Sequence, residues 1–147
     1  MKSCYLVDID GTVADATHRL HFITERPKNW NAFFANVKDD VPYDHIRQLL
    51  WHLINNDDVV IVYVTGRPQR CLNDTIEWMR KRVFPLGALY MRADDDYRAD
   101  DIVKKELLDQ LRRDGYDPIM AFDDRDRVVE MWRANGVPCA QVRKGDF

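Results

Sequence analysis

Cys4-Tyr5-Leu6-Val7-Asp8-Ile9-Asp10-Gly11-Thr12 decides the reading of this chain. Its first four residues are an apolar run of the kind that forms a buried strand. Two carboxylates then follow at i and i+2. On an extended chain they point the same way, roughly 7 Å apart. Gly11 supplies the sharp turn that lets the backbone leave the strand. Two acids are thus expected together at the C-terminal end of a strand, where open α/β sheets bind their ligands. Such a pair can divide its labour, one acid as nucleophile or metal ligand and the other as acid and base. The alternative at this point is a solvated acidic turn.

Outward from that stretch, strand and helix signals alternate. The strand candidates are Cys4–Asp8, Val59–Thr65, Ala88–Met91, Ile119–Asp123 and Val137–Val142. Between them, apolar residues recur at three- to four-residue spacing: His45-Ile46, Leu49-Leu50 and Leu53-Ile54; Leu72, Ile76 and Met79; Ile102-Val103, Leu107-Leu108 and Leu111; Val128-Val129 and Met131-Trp132. The last of these helices should stop at Asn135-Gly136. The alternation implies right-handed βαβ units and a mostly parallel sheet of about five strands with helices on both faces. Residues 13 to about 42 break the pattern and are long for a plain βα loop. They are expected to form a small, mostly helical insert beside the ligand edge.

Composition limits the function classes. At 147 residues, 46% apolar and 32% charged, the chain suits a single globular domain. No stretch approaches the ~20 apolar residues of a membrane span. The N-terminus runs directly into a strand with no signal-peptide pattern. The cysteines Cys4, Cys71 and Cys139 have no metal-ligand spacing and read as reduced packing residues. A cytoplasmic setting is expected. The net charge of −3 provides no global attraction for nucleic acid, although local charge can still be focused.

Further chemistry falls at strand ends. The second strand runs into Thr65-Gly66-Arg67, a hydroxyl, a flexible backbone and a guanidinium suited to a phosphoryl group; Thr65 also suits a helix N-cap. Lys104 lies one turn after Asp100, a spacing at which the two can pair. The fourth strand ends in Asp123-Asp124-Arg125. Adjacent buried carboxylates repel, and a hard cation such as Mg²⁺ relieves the cost. No Cys or His set favours zinc. His45 and His52 read as ordinary helix residues, whereas His18 and His21 could face the site from the insert. Trp51, Trp78 and Trp132 fall on apolar helix faces and are expected in the core. Trp30 either packs the insert or offers a stacking surface to a base.

Taken in order, Asp8-Ile9-Asp10-Gly11-Thr12, Thr65-Gly66-Arg67, Lys104 and Asp123-Asp124 resemble the four motifs of the haloacid dehalogenase superfamily of phosphohydrolases. The resemblance narrows with Ala121-Phe122-Asp123-Asp124-Arg125, Val128-Val129-Glu130-Met131-Trp132-Arg133, the tail from Gln141 to Phe147 and Asp100-Asp101-Ile102-Val103-Lys104. Together with Arg19 and Arg92, these look like the 3′-phosphatase half of bacteriophage polynucleotide kinase/phosphatases, over nearly the whole chain. The kinase half's Gly-x-x-x-x-Gly-Lys-Ser/Thr loop is absent. Thr65 stands where the phage motif has serine.

That resemblance implies a Rossmann-like phosphatase domain over 1–147, with a cap insert at about 13–42. It implies a Mg²⁺-dependent enzyme removing 3′-terminal phosphates from DNA or RNA through an aspartyl phosphate. Asp8 would be the nucleophile and Asp10 the acid and base. Asp8, Asp10, Asp123 and Asp124 would hold the metal. Thr65 and Lys104 would stabilise the phosphoryl oxygens, Asp100 would orient Lys104, and Arg67 would grip phosphate or fix the acidic cluster. Arg19, Arg92 and Arg125 are candidates for phosphate contacts, and Gly66 joins the substrate-binding residues. The expected partners are nucleic-acid 3′-phosphate ends, read with low sequence specificity, and a separate kinase or ligase. A nucleotidase or general small-molecule phosphomonoesterase is the nearest alternative. A response-regulator-like phospho-Asp module is a remote one, because the third strand ends in Met91-Arg92 without its acceptor Asp.

Overall fold

The computed structural model describes residues 1–55 and 58–147. Five parallel strands form the central sheet: β1 (Lys2–Val7), β4 (Val59–Pro68), β5 (Ala88–Arg92), β6 (Tyr116–Asp123) and β7 (Cys139–Gln141). β2 (Ala14–Asp15) and β3 (Val41–Pro42) form a separate antiparallel ribbon. The order across the main sheet is β5-β4-β1-β6-β7. Leu6 of β1 lies level with Val62 on one side and Ala121 on the other. All five expected strands are present, although the last is shorter than the apolar run suggested.

Alternation along the strands builds two cores. Cys4, Leu6, Val62, Val64 and Ala121 point to one face, packed under α5 (Asp100–Arg113) and α6 (Asp126–Ala134). Val7, Ile61, Tyr63 and Phe122 point to the other, covered by α3 (Asp44–Leu53) and α4 (Leu72–Lys81). A strand buried on both faces must be apolar at consecutive positions, which is why β1 and β4 read as unbroken runs. The chain first moves outward from β1 to β4 and β5. It then crosses back to β6, on the far side of β1. The crevice at this reversal, beyond the strand C-termini, is where a doubly wound sheet accepts ligand.

The insert carries α1 (His21–Thr24) and α2 (Trp30–Ala35), two short 3-10 turns, and the β2–β3 ribbon. The ribbon is a detail that apolar periodicity did not reveal. It pairs Ala14 with Pro42 and Asp15 with Val41, so the insert's two ends are clasped at its neck. Cys4, Cys71 and Cys139 are buried free thiols. Burial pushes the Cys4 and Cys139 thiols up to about 12, as befits unreactive packing residues.

Two packing expectations are corrected. Trp78 and Trp132 are core residues, but Trp51 is 45% exposed and donates its indole N–H to the Val83 carbonyl. Thr65 is not a helix N-cap, because β4 stays extended to Pro68 and α4 starts only at Leu72. No helix among the described residues is long and apolar enough to cross a membrane.

Candidate active site

Asp8 follows β1 directly, and its N–H donates to the Phe122 carbonyl of β6 at 3.0 Å. That bond draws the β1 terminus against Asp123-Asp124, at the end of β6. Carboxylate oxygens of Asp8, Asp123 and Asp124 lie within 4.8 Å of one another, and all three residues are buried. Among the described residues, one cation enters this cluster. Lys104 Nζ donates to Asp8 Oδ1 at 2.7 Å and to Asp123 Oδ2 at 2.9 Å. Thr12 Oγ1 donates to Asp8 Oδ2 at 2.9 Å, and Trp132 Nε1 to Asp123 Oδ2 at 3.1 Å. Gly11 has φ +87°, and a Cβ there would overlap the Asp124 carboxylate. Glycine therefore meets both the turn and the close approach.

Three buried carboxylates face a single ammonium. Burial and Asp123 push Asp8 well above the usual carboxylate range, against the pull of Lys104. Burial and Asp123 raise Asp124 to about 6. Burial disfavours the Lys104 ammonium, but Asp123 and Asp8 outweigh it and hold it charged. The excess negative charge, the all-oxygen donor set and the spacing fit a divalent hard cation. Asp8, Asp123 and Asp124 would hold it.

Asp10 belongs to a second cluster. Its Oδ1 accepts from Arg19 Nη2 at 2.7 Å, Arg67 Nη2 at 2.7 Å and Arg67 Nε at 3.1 Å. Both guanidiniums also bind Asp40. Arg19 reaches it through Nε and Nη2, each at 2.8 Å, and Arg67 through Nη2 at 2.9 Å. Thr75, the Trp78 indole and His18 complete the surroundings: Arg67 Nη1 donates to Thr75 Oγ1, Trp78 Nε1 donates to the Asp40 carbonyl, and His18 Nε2 lies 2.6 Å from Asp40 Oδ1. Burial would raise Asp10, yet Arg67 and Arg19 dominate and hold it down at about 2. Arg19, Arg67 and Asp40 are inaccessible to solvent or nearly so, whereas the Asp10 side chain is 30% exposed.

The structure brings together Asp8, Asp10, Thr65, Arg67, Lys104, Asp123 and Asp124, but it alters several expected pairings. Arg19 is fully buried and cannot touch a nucleic-acid backbone; the Phe33 ring lies 4.4 Å from its guanidinium carbon. Asp100 bonds Arg92 Nη2 at 3.0 Å rather than Lys104. Arg92 spends its other donors on the carbonyls of Gly66, Asp96 and Arg98, so it braces the loop around Gly66. A Cβ at Gly66 would overlap the Asp100 carboxylate. Thr65 Oγ1 accepts from the Arg67 N–H at 3.1 Å, which leaves its O–H as a donor. Arg125 donates to the Phe147 carbonyl at 2.9 Å and sits at the rim, 4.0 Å from Asp100. Asp40 was missed. Its one sequence signal, the charged run Lys38-Asp39-Asp40, is also the ordinary signature of a solvated turn.

The pattern for the polynucleotide kinase PNKP phosphatase domain matches residues 2–147. The chain belongs to this family. As a PNKP-type phosphatase domain it has the haloacid dehalogenase fold, and the response-regulator alternative falls away. It is 33% identical over 135 residues to a bifunctional polynucleotide kinase/RNA ligase of Autographa californica nuclear polyhedrosis virus; the match covers 90% of this chain and 18% of that one. Two structures of a Pnkp1/Rnl/Hen1 complex, one described as an RNA repair complex, superpose over the whole chain. Their TM-scores are 0.83 and 0.84 at 28% and 27% identity, covering 44% and 48% of those chains. The phosphatase domain thus spans less than half the length of these relatives. A class C acid phosphatase from Bacillus anthracis shares the fold, with TM-score 0.66 at 18% identity over 86% of this chain and 53% of that one.

Proposed function

We propose that this phosphatase removes the 3′-terminal phosphate from DNA or RNA ends, with Mg²⁺ and through an aspartyl phosphate on Asp8. The observation that carries the reading is the separation of the two motif acids: Asp8 in a cation-deficient cluster, Asp10 in an arginine-rich one, at the same sheet edge. A magnesium ion bound by Asp8, Asp123 and Asp124 would supply charge neutralisation between the carboxylate and the anionic phosphate. The Asp10 carbonyl is a further candidate ligand.

Asp8 attacks phosphorus as the bond to the 3′-oxygen breaks. Lys104 and Thr12 hold the Asp8 carboxylate in one orientation, and the Thr65 O–H and Lys104 stabilise the transferring oxygens. The leaving oxygen takes a proton across Asp10. The arginines keep Asp10 ionised at rest, so that proton arrives with the phosphate monoanion, whose second pKa is about 6. Asp10 then removes a proton from the water that attacks the aspartyl phosphate and passes it to the departing inorganic phosphate, restoring both Asp8 and the ionised Asp10. Arg67 and Arg19 act through Asp10 as positioning residues.

The reading treats residues 1–147 as one phosphatase unit with its cap at about 13–42, working in a cytoplasm beside a kinase or ligase chain. The relatives' description as a polynucleotide kinase/RNA ligase and as an RNA repair complex supports that company. The deciding experiment compares phosphate release from an oligonucleotide carrying a 3′-phosphate, its 5′-phosphate isomer and a 3′-mononucleotide, each with Mg²⁺ and with EDTA. Release from the 3′ end, much the fastest and lost in EDTA, is expected. Equal activity on the mononucleotide would move the enzyme to nucleotide metabolism.

A further inference from the structure

One exposed surface is absorbed by neither acid cluster. Helix α2 of the insert presents Trp30, Phe33 and Phe34 as one aromatic group. Trp30 and Phe34 stack at 5.9 Å with planes 23° apart, and Phe33 meets both edge-on at 5.7 and 5.1 Å. Phe33 is buried, but Trp30 is 46% exposed and Phe34 half-buried. A tryptophan left this open on a polar insert is not needed to fill a core.

Two observations indicate its occupant. The rings are ringed by positive charge: Lys28 Nζ lies 5.8 Å from the Trp30 ring, and the Arg70 guanidinium 5.2 Å from Phe34. Aromatic faces interleaved with exposed cations suit a single strand, whose bases stack and whose phosphates pair. A protein partner's apolar face would leave those cations without counterions.

The group is also wired to the site. Phe33 covers Arg19, and Arg19 bonds Asp10 at 2.7 Å. Arg70 lies two residues beyond the end of β4, on the catalytic edge of the sheet. The platform is therefore about two side chains from the acid, within reach of nucleotides just upstream of a terminal phosphate.

We propose that Trp30 and Phe34, flanked by Lys28 and Arg70, form a stacking platform for the penultimate bases of a single-stranded 3′-phosphorylated end. It would make the enzyme prefer polynucleotides to small phosphate esters. The proposal deepens the 3′-phosphatase reading and rests on it.

The test measures kcat/KM on a 3′-phosphorylated oligonucleotide and on p-nitrophenyl phosphate, for the wild type, Trp30→Ala, Trp30→Phe and the control Trp51→Ala. Loss of one stacked base predicts that Trp30→Ala lowers the oligonucleotide-to-ester ratio by about fivefold to a hundredfold, mainly through KM. Trp30→Phe should restore most of it, and Trp51→Ala should leave the ratio unchanged. An equal loss on both substrates would assign Trp30 to holding the insert together and overturn the platform. An unchanged ratio would overturn it too, as expected of a surface used by a protein. Anisotropy of a labelled oligonucleotide on Asp8→Asn separates the two readings. Weaker binding by Trp30→Ala in that background, with turnover favouring the 5′-phosphate isomer, would keep the platform and sink the 3′ assignment.

Discussion

Asp8 and Asp10 are two residues apart and end in opposite electrostatic settings. Around Asp8, three buried acids share Lys104, and Asp124 rises to about 6. Around Asp10, two arginines and two carboxylates interlock, and Asp10 falls to about 2. One half of the site carries a charge deficit of the kind that a cation from solution would fill. The other is assembled from the chain alone. A phosphomonoesterase has use for both: an adaptable charge where an anionic phosphate meets an anionic nucleophile, and a rigid frame where a proton must change hands.

The most drastic way to break the contrast is Asp8→Asn. It relieves the charge excess and removes the proposed nucleophile, so turnover should fall by about four orders of magnitude or more while Asp10 keeps its arginines. Appreciable steady-state turnover by that variant would sink the nucleophile assignment. Next is Asp40→Asn, aimed at the interlocked half. Two buried guanidiniums lose a shared counterion, which should cost about 3–5 kcal/mol in urea unfolding and lower kcat with it. A variant as stable as the parent would show that the lattice is not needed to hold the insert.

The halves should also part company with pH in metal-free protein. Asp10 sits below its ordinary 3.8, so the stability it contributes is present above about 4 and is lost as pH falls towards 2. Asp124 sits above 3.8, at about 6. Its ionisation therefore destabilises the fold, progressively, as pH rises from about 4 through 6. Thermal melts in EDTA should show both slopes, and added Mg²⁺ should raise the melting temperature chiefly above pH 6, where Asp124 is ionised. A melting temperature indifferent to Mg²⁺ at pH 7 would count against the cation site. The mildest test is Thr12→Val, which keeps shape and removes the bond to Asp8 Oδ2. About a tenfold fall in kcat with little loss of stability is expected.

The two halves were not equally legible. Asp8, Asp10, Thr65 and Asp123-Asp124 announce themselves because apolar strands end in polar residues, and a doubly wound sheet gathers its strand ends. Asp40 is silent because its partners lie 21 and 27 residues away, joined only when the insert folds back. Asp100 misled because helical spacing alone favours Lys104. The lysine's long stem instead reaches into the cluster, while Asp100 meets Arg92 across the loop. Trp51 misled because periodicity marks a face without saying how deep the face lies.

The shared counterion has one more consequence. Arg19 and Asp40 travel with the insert, Asp10 and Arg67 with the sheet, and the β2–β3 ribbon closes the neck between them. The insert is therefore a cassette with its own electrical connector. Exchanged between related sheets as the segment from 13 to 42, it should install a working frame wherever the recipient offers the matching aspartate and arginine. Cut short of Asp40, it would leave the socket wired on one side only.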